Sequence, residues 1–248
     1  MARLKCTMSY DGAHFSGYQI QFGKRTVQGE VEKALAQIHK GRPIQTAASG
    51  RTDKGVHAKS QVFHFDTSLE IPEPNWQKAL NSLLPDDIYI KCVERVSDTF
   101  HARFDAFAKE YRYFIRQETE PDVFLRHYVY HFPYELDLEA IKTACRYLEG
   151  THDFTTFSSA KASVKGSRVR TLYQARCEQT SDGLAFIFCG DGFLYHMVRI
   201  LVGHLLDIGR GEQIPSDIPE LFAKKDRRLA GATVPPQGLY LWEVFYHE

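Results

Sequence analysis

Stretches in which apolar residues recur every second position alternate along this chain with stretches in which they recur every three or four. That alternation restricts the possible folds more than any other feature of the sequence. Leu4, Cys6, Met8 and Tyr10 share one face of a strand, which Asp11-Gly12 breaks. Val27, Val31, Ala34, Leu35 and Ile38 fall at helical spacing behind Thr26, a good N-cap. Residues 56–65 are β-branched and aromatic enough for a strand. Residues 74–84 predict a short helix with proline in its first turn, and 88–96 a further strand. In a long strand that follows, Phe107, Lys109, Tyr111, Tyr113 and Ile115 are predicted on one face and Glu110, Arg112 and Phe114 on the other. A helix opens at Asp137 and stops at Gly150. Strands near 168–180 and 184–189, a long helix over 193–208, a short one near 217–224 and a strand over 239–246 complete the pattern. Strands and helices alternate up to residue 105, and a similar order recurs after it. This predicts an α+β protein of two similar lobes, each an antiparallel sheet with helices packed on one side, rather than a doubly wound parallel sheet. No low-complexity linker separates the lobes, so they are divided as residues 1–105 and 106–248.

A chain of 248 residues buries roughly 70–75% of its unfolded surface and needs no metal or disulfide to hold its core. Its five cysteines are widely spaced and never form Cys-x-x-Cys, which points to a reducing compartment. The first thirty residues lack a signal-peptide pattern. The most apolar long stretch, 193–208, carries His196, Arg199, His204 and Asp207, too polar a set for a bilayer. A soluble, cytoplasmic protein with no membrane partner is expected. The 31 basic and 31 acidic residues cancel, but they are segregated. Residues 1–65 carry a local balance of +6, and 161–176 carry five cations and no acid. Basic blocks with interleaved aromatic residues suit a polyanion that is also contacted by stacking, although solvated helix and strand faces give the same pattern.

The densest candidate for chemistry is Ser49-Gly50-Arg51-Thr52-Asp53-Lys54-Gly55-Val56-His57-Ala58. Arg51 and Lys54 flank Asp53 and favour its ionised form, suited to a nucleophile or base. A structural turn in which Asp53 caps backbone groups is the alternative. Gly190-Asp191-Gly192 precedes a predicted helix, but Tyr195 stands where a dinucleotide fingerprint needs Gly or Ala, which sets a nicotinamide or flavin enzyme aside. His127 and His131 are predicted on one strand face, with no further ligand at metal-binding spacing.

The Ser49–Ala58 stretch resembles the signature of the tRNA pseudouridine synthase A family, the tRNA pseudouridine(38-40) synthases. The resemblance is carried by the Ser49–Ala58 stretch and by Tyr10-Asp11-Gly12 with Phe15, Gly17, Tyr18 and Gln19. It continues through Phe100-His101-Ala102-Arg103-Phe104, Lys109-Glu110-Tyr111-Arg112-Tyr113, Asp153-Phe154-Thr155-Thr156-Phe157 and Gly192-Phe193-Leu194-Tyr195-His196-Met197-Val198-Arg199. Gly209-Arg210-Gly211 and Pro235-Pro236-Gln237-Gly238-Leu239 extend it almost to the end. Lys54 departs from the Ala more common in the family, and 158–168 fit loosely. The resemblance implies isomerisation of uridine to pseudouridine at positions 38–40 of the tRNA anticodon arm, by base flipping, with no cofactor and no metal. It implies a homodimer and an active site in a basic cleft between the lobes. Asp53 would be the nucleophile, attacking C1′ of the ribose or, alternatively, C6 of uracil. Tyr111 would stack on the uracil, Arg199 would pair with Asp53, and Arg51 would fill the space left by the flipped base or engage phosphates. Lys24, Arg25 and the 161–176 cluster, Arg168 among them, are candidates for phosphate contacts. A non-catalytic RNA-binding module is the rival reading. It has no use for a carboxylate beside RNA phosphates.

Overall fold

The computed structural model describes residues 1–159 and 166–247. In chain order the elements are β1 (Ala2–Tyr10), α1 (Val27–Ile38), β2 (Ala47–Ala48), β3 (His57–Thr67), α2 (Glu73–Leu83), β4 (Ile88–Val96) and β5 (Ala106–Arg116). They continue as β6 (Tyr130–His131), α3 (Leu138–Leu148), β7 (Gly150–Asp153), β8 (Val169–Gln179), β9 (Gly183–Gly190), α4 (Met197–Gly209), α5 (Ile218–Lys224) and β10 (Leu239–Tyr246). The chain divides into two compact units, residues 1–107 with 240–248, and residues 108–239. Both are α+β.

In the first unit, β1 runs antiparallel to β3 on one side, Cys6 opposite Phe63, and to β4 on the other, Cys6 opposite Val93. The inward face predicted for β1 is the buried one, with Leu4, Cys6 and Met8 fully enclosed. Thr26 caps α1 by accepting from Gly29 N through its hydroxyl. The helix then buries Val27, Val31, Ala34 and Leu35. Helix α2 packs along β4 and against α1, and drives Trp76 edge-on into Phe65 at 5.3 Å. The terminal strand, grouped by its position in the sequence with the second lobe, belongs here instead. It runs parallel to β3, with Tyr240 opposite His57 and Leu241 opposite Ala58.

The second unit orders its strands β5-β9-β8-β7, all antiparallel neighbours. The short β6 lies parallel to β5. The sheets are therefore mixed, not purely antiparallel. Asp137 caps α3 by accepting from Ala140 N at 2.9 Å. That helix packs on β8 and on α4, whose residues are buried nearly all round. Helix α4 begins at Met197, four residues later than its apolar pattern suggests, because His196 adopts a left-handed φ of 62° and cannot continue a helix. In β5 the alternation holds from Tyr111 to Ile115, but Ala108 is buried and Phe107 exposed, so the phase slips at the strand's start. His127 lies in a turn before β6 and shares no strand face with His131. Among the described residues no helix is long and apolar enough to cross a membrane.

Candidate active site

Asp53 stands in the loop between β2 and β3, and the loop's backbone is held from several sides. Ser49 N donates to Val62 O, while its hydroxyl donates to the buried Gln61 Oε1 at 2.6 Å. Gln61 Nε2 returns a bond to Gly50 O at 3.1 Å. Thr52 Oγ1 shares a buried 2.7 Å hydrogen bond with the Tyr10 hydroxyl, whose pKa burial pushes up to about 12. Thr52 O accepts from Tyr18 N, and Val56 N closes a turn onto Asp53 O through Gly55 at φ 79°. Two glycines of the preceding loop press directly on this backbone. A Cβ at Gly12 would lie 1.9 Å from Val56 O, and one at Gly17 would lie 2.9 Å from Thr52 O. Gly12 N also donates to the buried His57 Nδ1 at 3.0 Å. The result is a half-buried carboxylate on a rigid turn, between exposed Arg51 and Lys54.

Tyr111 and Arg199 lie in the second unit. Tyr111 is opposite Phe188 in the β5–β9 ladder, and its ring meets Phe193 edge-on at 4.9 Å. Its neighbour Tyr113 is the true core tyrosine, fully buried, with its hydroxyl donating to Pro235 O at 2.8 Å. Burial raises the Tyr113 pKa far above the ordinary tyrosine value, against a smaller opposing influence of the Arg199 charge. Gly238 fits beneath this ring because a Cβ there would be 2.6 Å from Phe114 O and 2.9 Å from Tyr113. Arg199, in the first turn of α4, donates from Nε to Val234 O at 2.7 Å, and Val234 N donates back to Arg199 O. The Nε bond holds the guanidinium against the Val234 backbone.

The phosphate candidates differ from one another. Lys24 is exposed on the loop that carries Gly17 and Tyr18. Arg25 is engaged within the protein: it forks onto Asp87 at 2.7 and 2.9 Å, reaches Glu30, and lies 4.1 Å over the Phe15 ring. Arg168 donates to Ser158 Oγ at 2.8 Å. Lys161 and Lys165 lie outside the described residues. Among the described residues, no group of three His, Cys, Asp or Glu is placed to hold a metal ion. Cys6, Cys145 and Cys177 are buried and their thiol pKa values raised by burial, so none of these three is a ready nucleophile. Sequence reasoning overlooked the roles of Gly12, Gly17, His57, Phe193 and Val234 in shaping these sites. Gly12, Gly17, His57 and Phe193 stand inside the motifs quoted from the sequence, whereas Val234 left no mark there.

A family model described as tRNA pseudouridine synthase matches residues 7–105 and 144–247. The tRNA pseudouridine synthase A of Oceanobacillus iheyensis is 59% identical over 248 residues, covering 100% of this chain and 98% of that protein. The tRNA pseudouridine synthase A of Bacillus subtilis is 55% identical over 98% of this chain and 99% of its own length. The tRNA pseudouridine synthase A 1 of Bacillus cereus is 53% identical over the full length of both. With matches of this extent running through both the Asp53 loop and the Arg199 helix, the chain belongs to the tRNA pseudouridine synthase family.

Proposed function

We propose that this chain converts uridine to pseudouridine at positions 38–40 in the anticodon arm of tRNA, with Asp53 as the nucleophile. The observation that carries the reading is the Asp53 turn itself, a carboxylate on a backbone clamped by Gly12, Gly17, Tyr10 and Gln61, between two cations. The target uridine leaves the loop stack before the carboxylate reaches it. Asp53 attacks C1′ of the ribose, a carboxylate–C1′ bond forms, and the bond from C1′ to N1 of uracil breaks. The freed uracil turns so that C5 faces C1′. A C5–C1′ bond forms as the Asp53 carboxylate departs. The C5 proton is then lost, and the uracil, now carrying a proton on N1, is pseudouridine. Tyr111 holds the free base by stacking, and its hydroxyl relays the C5 proton. Arg199 supplies the positive charge that keeps Asp53 ionised and oriented. Arg51 fills the vacated space in the RNA stack. Lys24 and Arg168 engage phosphates, whereas Arg25, spent on Asp87, braces the loop that displays Lys24. The enzyme works in the cytoplasm as a homodimer and uses no cofactor.

The deciding experiment is tritium release from uridine labelled at C5 in an unmodified tRNA transcript, by the wild-type protein and by Asp53→Asn. The amide keeps the shape and removes the nucleophilic charge, so turnover should vanish while tRNA affinity is retained or improved. Asn turnover within about tenfold of wild type, a barrier change under ~1.4 kcal/mol, would exclude Asp53 as the nucleophile. Binding without tritium release by the wild type would instead assign the chain to RNA binding alone.

A further inference from the structure

The loop that presses on the Asp53 turn also displays an aromatic ring that the fold does not use. Both ends of this loop are tied down. Ser16 N donates to Arg25 O at 2.9 Å, Val27 N to Gly17 O at 3.3 Å and Gln28 N to Tyr18 O at 2.9 Å. Within it, Gln28 Oε1 accepts from Gln19 Nε2 at 2.7 Å and from Ile20 N at 3.2 Å, and Gln21 Nε2 donates to Ser16 O at 2.8 Å. Lys24 N closes the tip onto Gln21 O through Gly23, whose φ is 67°. On this braced tip stands Phe22, 105% exposed, with its entire ring in solvent. A scattered apolar side chain on a surface is ordinary. Phe104, for example, is 74% exposed yet rests on the His101 ring at 4.3 Å. Phe22 is different because it stands on an internally bonded turn with its whole side chain exposed.

The chemistry around the ring indicates what covers it. From Gly12 to Gly29 the charged residues are Lys24 and Arg25, with no acid. An aromatic face beside an exposed lysine matches a nucleobase and its phosphate, the pairing that single-stranded RNA recognition uses. The position is also suitable. Tyr18, four residues before Phe22, donates to the carbonyl of Thr52, the residue preceding Asp53. Four residues of extended chain span at most about 14 Å, the radius within which Phe22 can lie from Tyr18.

We infer that Phe22 is a base-stacking residue for the RNA substrate, its ring lying against an unstacked nucleobase near the target uridine while Lys24 meets an adjacent phosphate. This inference rests on the tRNA reading above and adds a positioning residue to it. Phe22 takes no part in the chemical steps.

The test compares full-length wild type with Phe22→Ala, Phe22→Leu and Phe22→Trp on one unmodified tRNA transcript. It reads filter-binding affinity, the saturating single-turnover rate of pseudouridine formation, and thermal unfolding. Loss of one base–aromatic stack should weaken binding by about 5- to 150-fold for both Ala and Leu. Trp should stay within about twofold of wild type, with unfolding unchanged in all three because the ring is fully exposed. The saturating rate should remain near wild type, placing the defect in capture. Wild-type affinity in the Ala variant overturns the inference. So does wild-type affinity in the Leu variant, which would mean apolar cover without stacking. A changed sedimentation coefficient with tRNA affinity intact would identify a second copy of this chain as the occupant and overturn it as well. If the wild-type protein forms no pseudouridine, the functional reading fails first and this inference fails with it.

Discussion

Two tyrosines two residues apart on β5 carry different expectations, one for packing and one for the proposed chemistry. Tyr113 is sealed in the core with its hydroxyl on Pro235 O, whereas Tyr111 retains 8% exposure and leans on Phe193. Removing the Tyr113 hydroxyl strips a donor from a carbonyl and leaves a small void. Tyr113→Phe should therefore cost roughly 1–2 kcal/mol of stability and leave turnover nearly intact. Tyr111→Phe should do the reverse, with near-normal folding and tRNA affinity and turnover lowered at least about a hundredfold, a barrier increase of ~2.7 kcal/mol or more. Urea unfolding and single-turnover pseudouridine formation on both variants give the comparison. Normal turnover by Tyr111→Phe would reduce Tyr111 to a platform with no proton-relay role.

Helix α4 shows how an element can carry a titration that the reaction does not use. His204 is 1% exposed in its middle, edge-on to the Phe157 ring at 5.5 Å, and neither ring nitrogen has a hydrogen-bond partner among the described residues. Burial lowers its pKa to about 4, only weakly opposed by Asp217. His64 on β3, likewise buried, is also lowered to about 4, chiefly by desolvation and then by the Arg3 charge. Both folded values lie below the ordinary histidine value near 6.5, so the unfolded chain binds more protons between pH 6.5 and 4. The stability that neutral His204 and His64 contribute is present in full above pH 6.5 and drains as pH falls toward 4. Each group adds a slope of up to about 1.4 kcal/mol per pH unit inside that window. His204→Leu should remove about half of the acid sensitivity measured by urea unfolding at pH 7 and pH 5. An unchanged slope would show that His204 is reached by water or finds a partner.

For the molecule as a whole, zero net charge conceals basic segments whose residues are not equivalent. Arg25 is folded into an ion pair with Asp87 and a stack on Phe15, whereas Lys24 beside it projects from the same turn. Each phosphate contact releases counterions, so affinity for tRNA should fall steeply with salt. Lys24→Ala should flatten the slope of log affinity against log salt by about 0.7–0.9, with stability unchanged. Arg25→Ala should lower stability instead, because Asp87 loses its partner, and should alter the salt slope less. Equal changes in slope for the two variants would return Arg25 to the phosphate-binding set.

The sequence by itself determined whatever depends on neighbours a few positions away. Thr26 and Asp137 announce their helices because a capping hydroxyl or carboxylate acts on an N–H three residues ahead. The β1 alternation needs only the pleat, and Asp53 between Arg51 and Lys54 is conspicuous as a local charge pattern. Tertiary structure decided the rest. The parallel pairing of β10 with β3 joins residues more than half the chain apart, and no local period encodes such a pairing. The short strands β2, β6 and β7 take their form from the ladders beside them, since two to four residues cannot display a period. Helix α4 starts late because the backbone turns left-handed at His196, although the apolar pattern runs straight through it. Gly12 could have been read as a simple turn residue. Its reason is the Val56 backbone, distant in sequence and pressed so close that no side chain fits, and that approach is what holds the Asp53 turn in place.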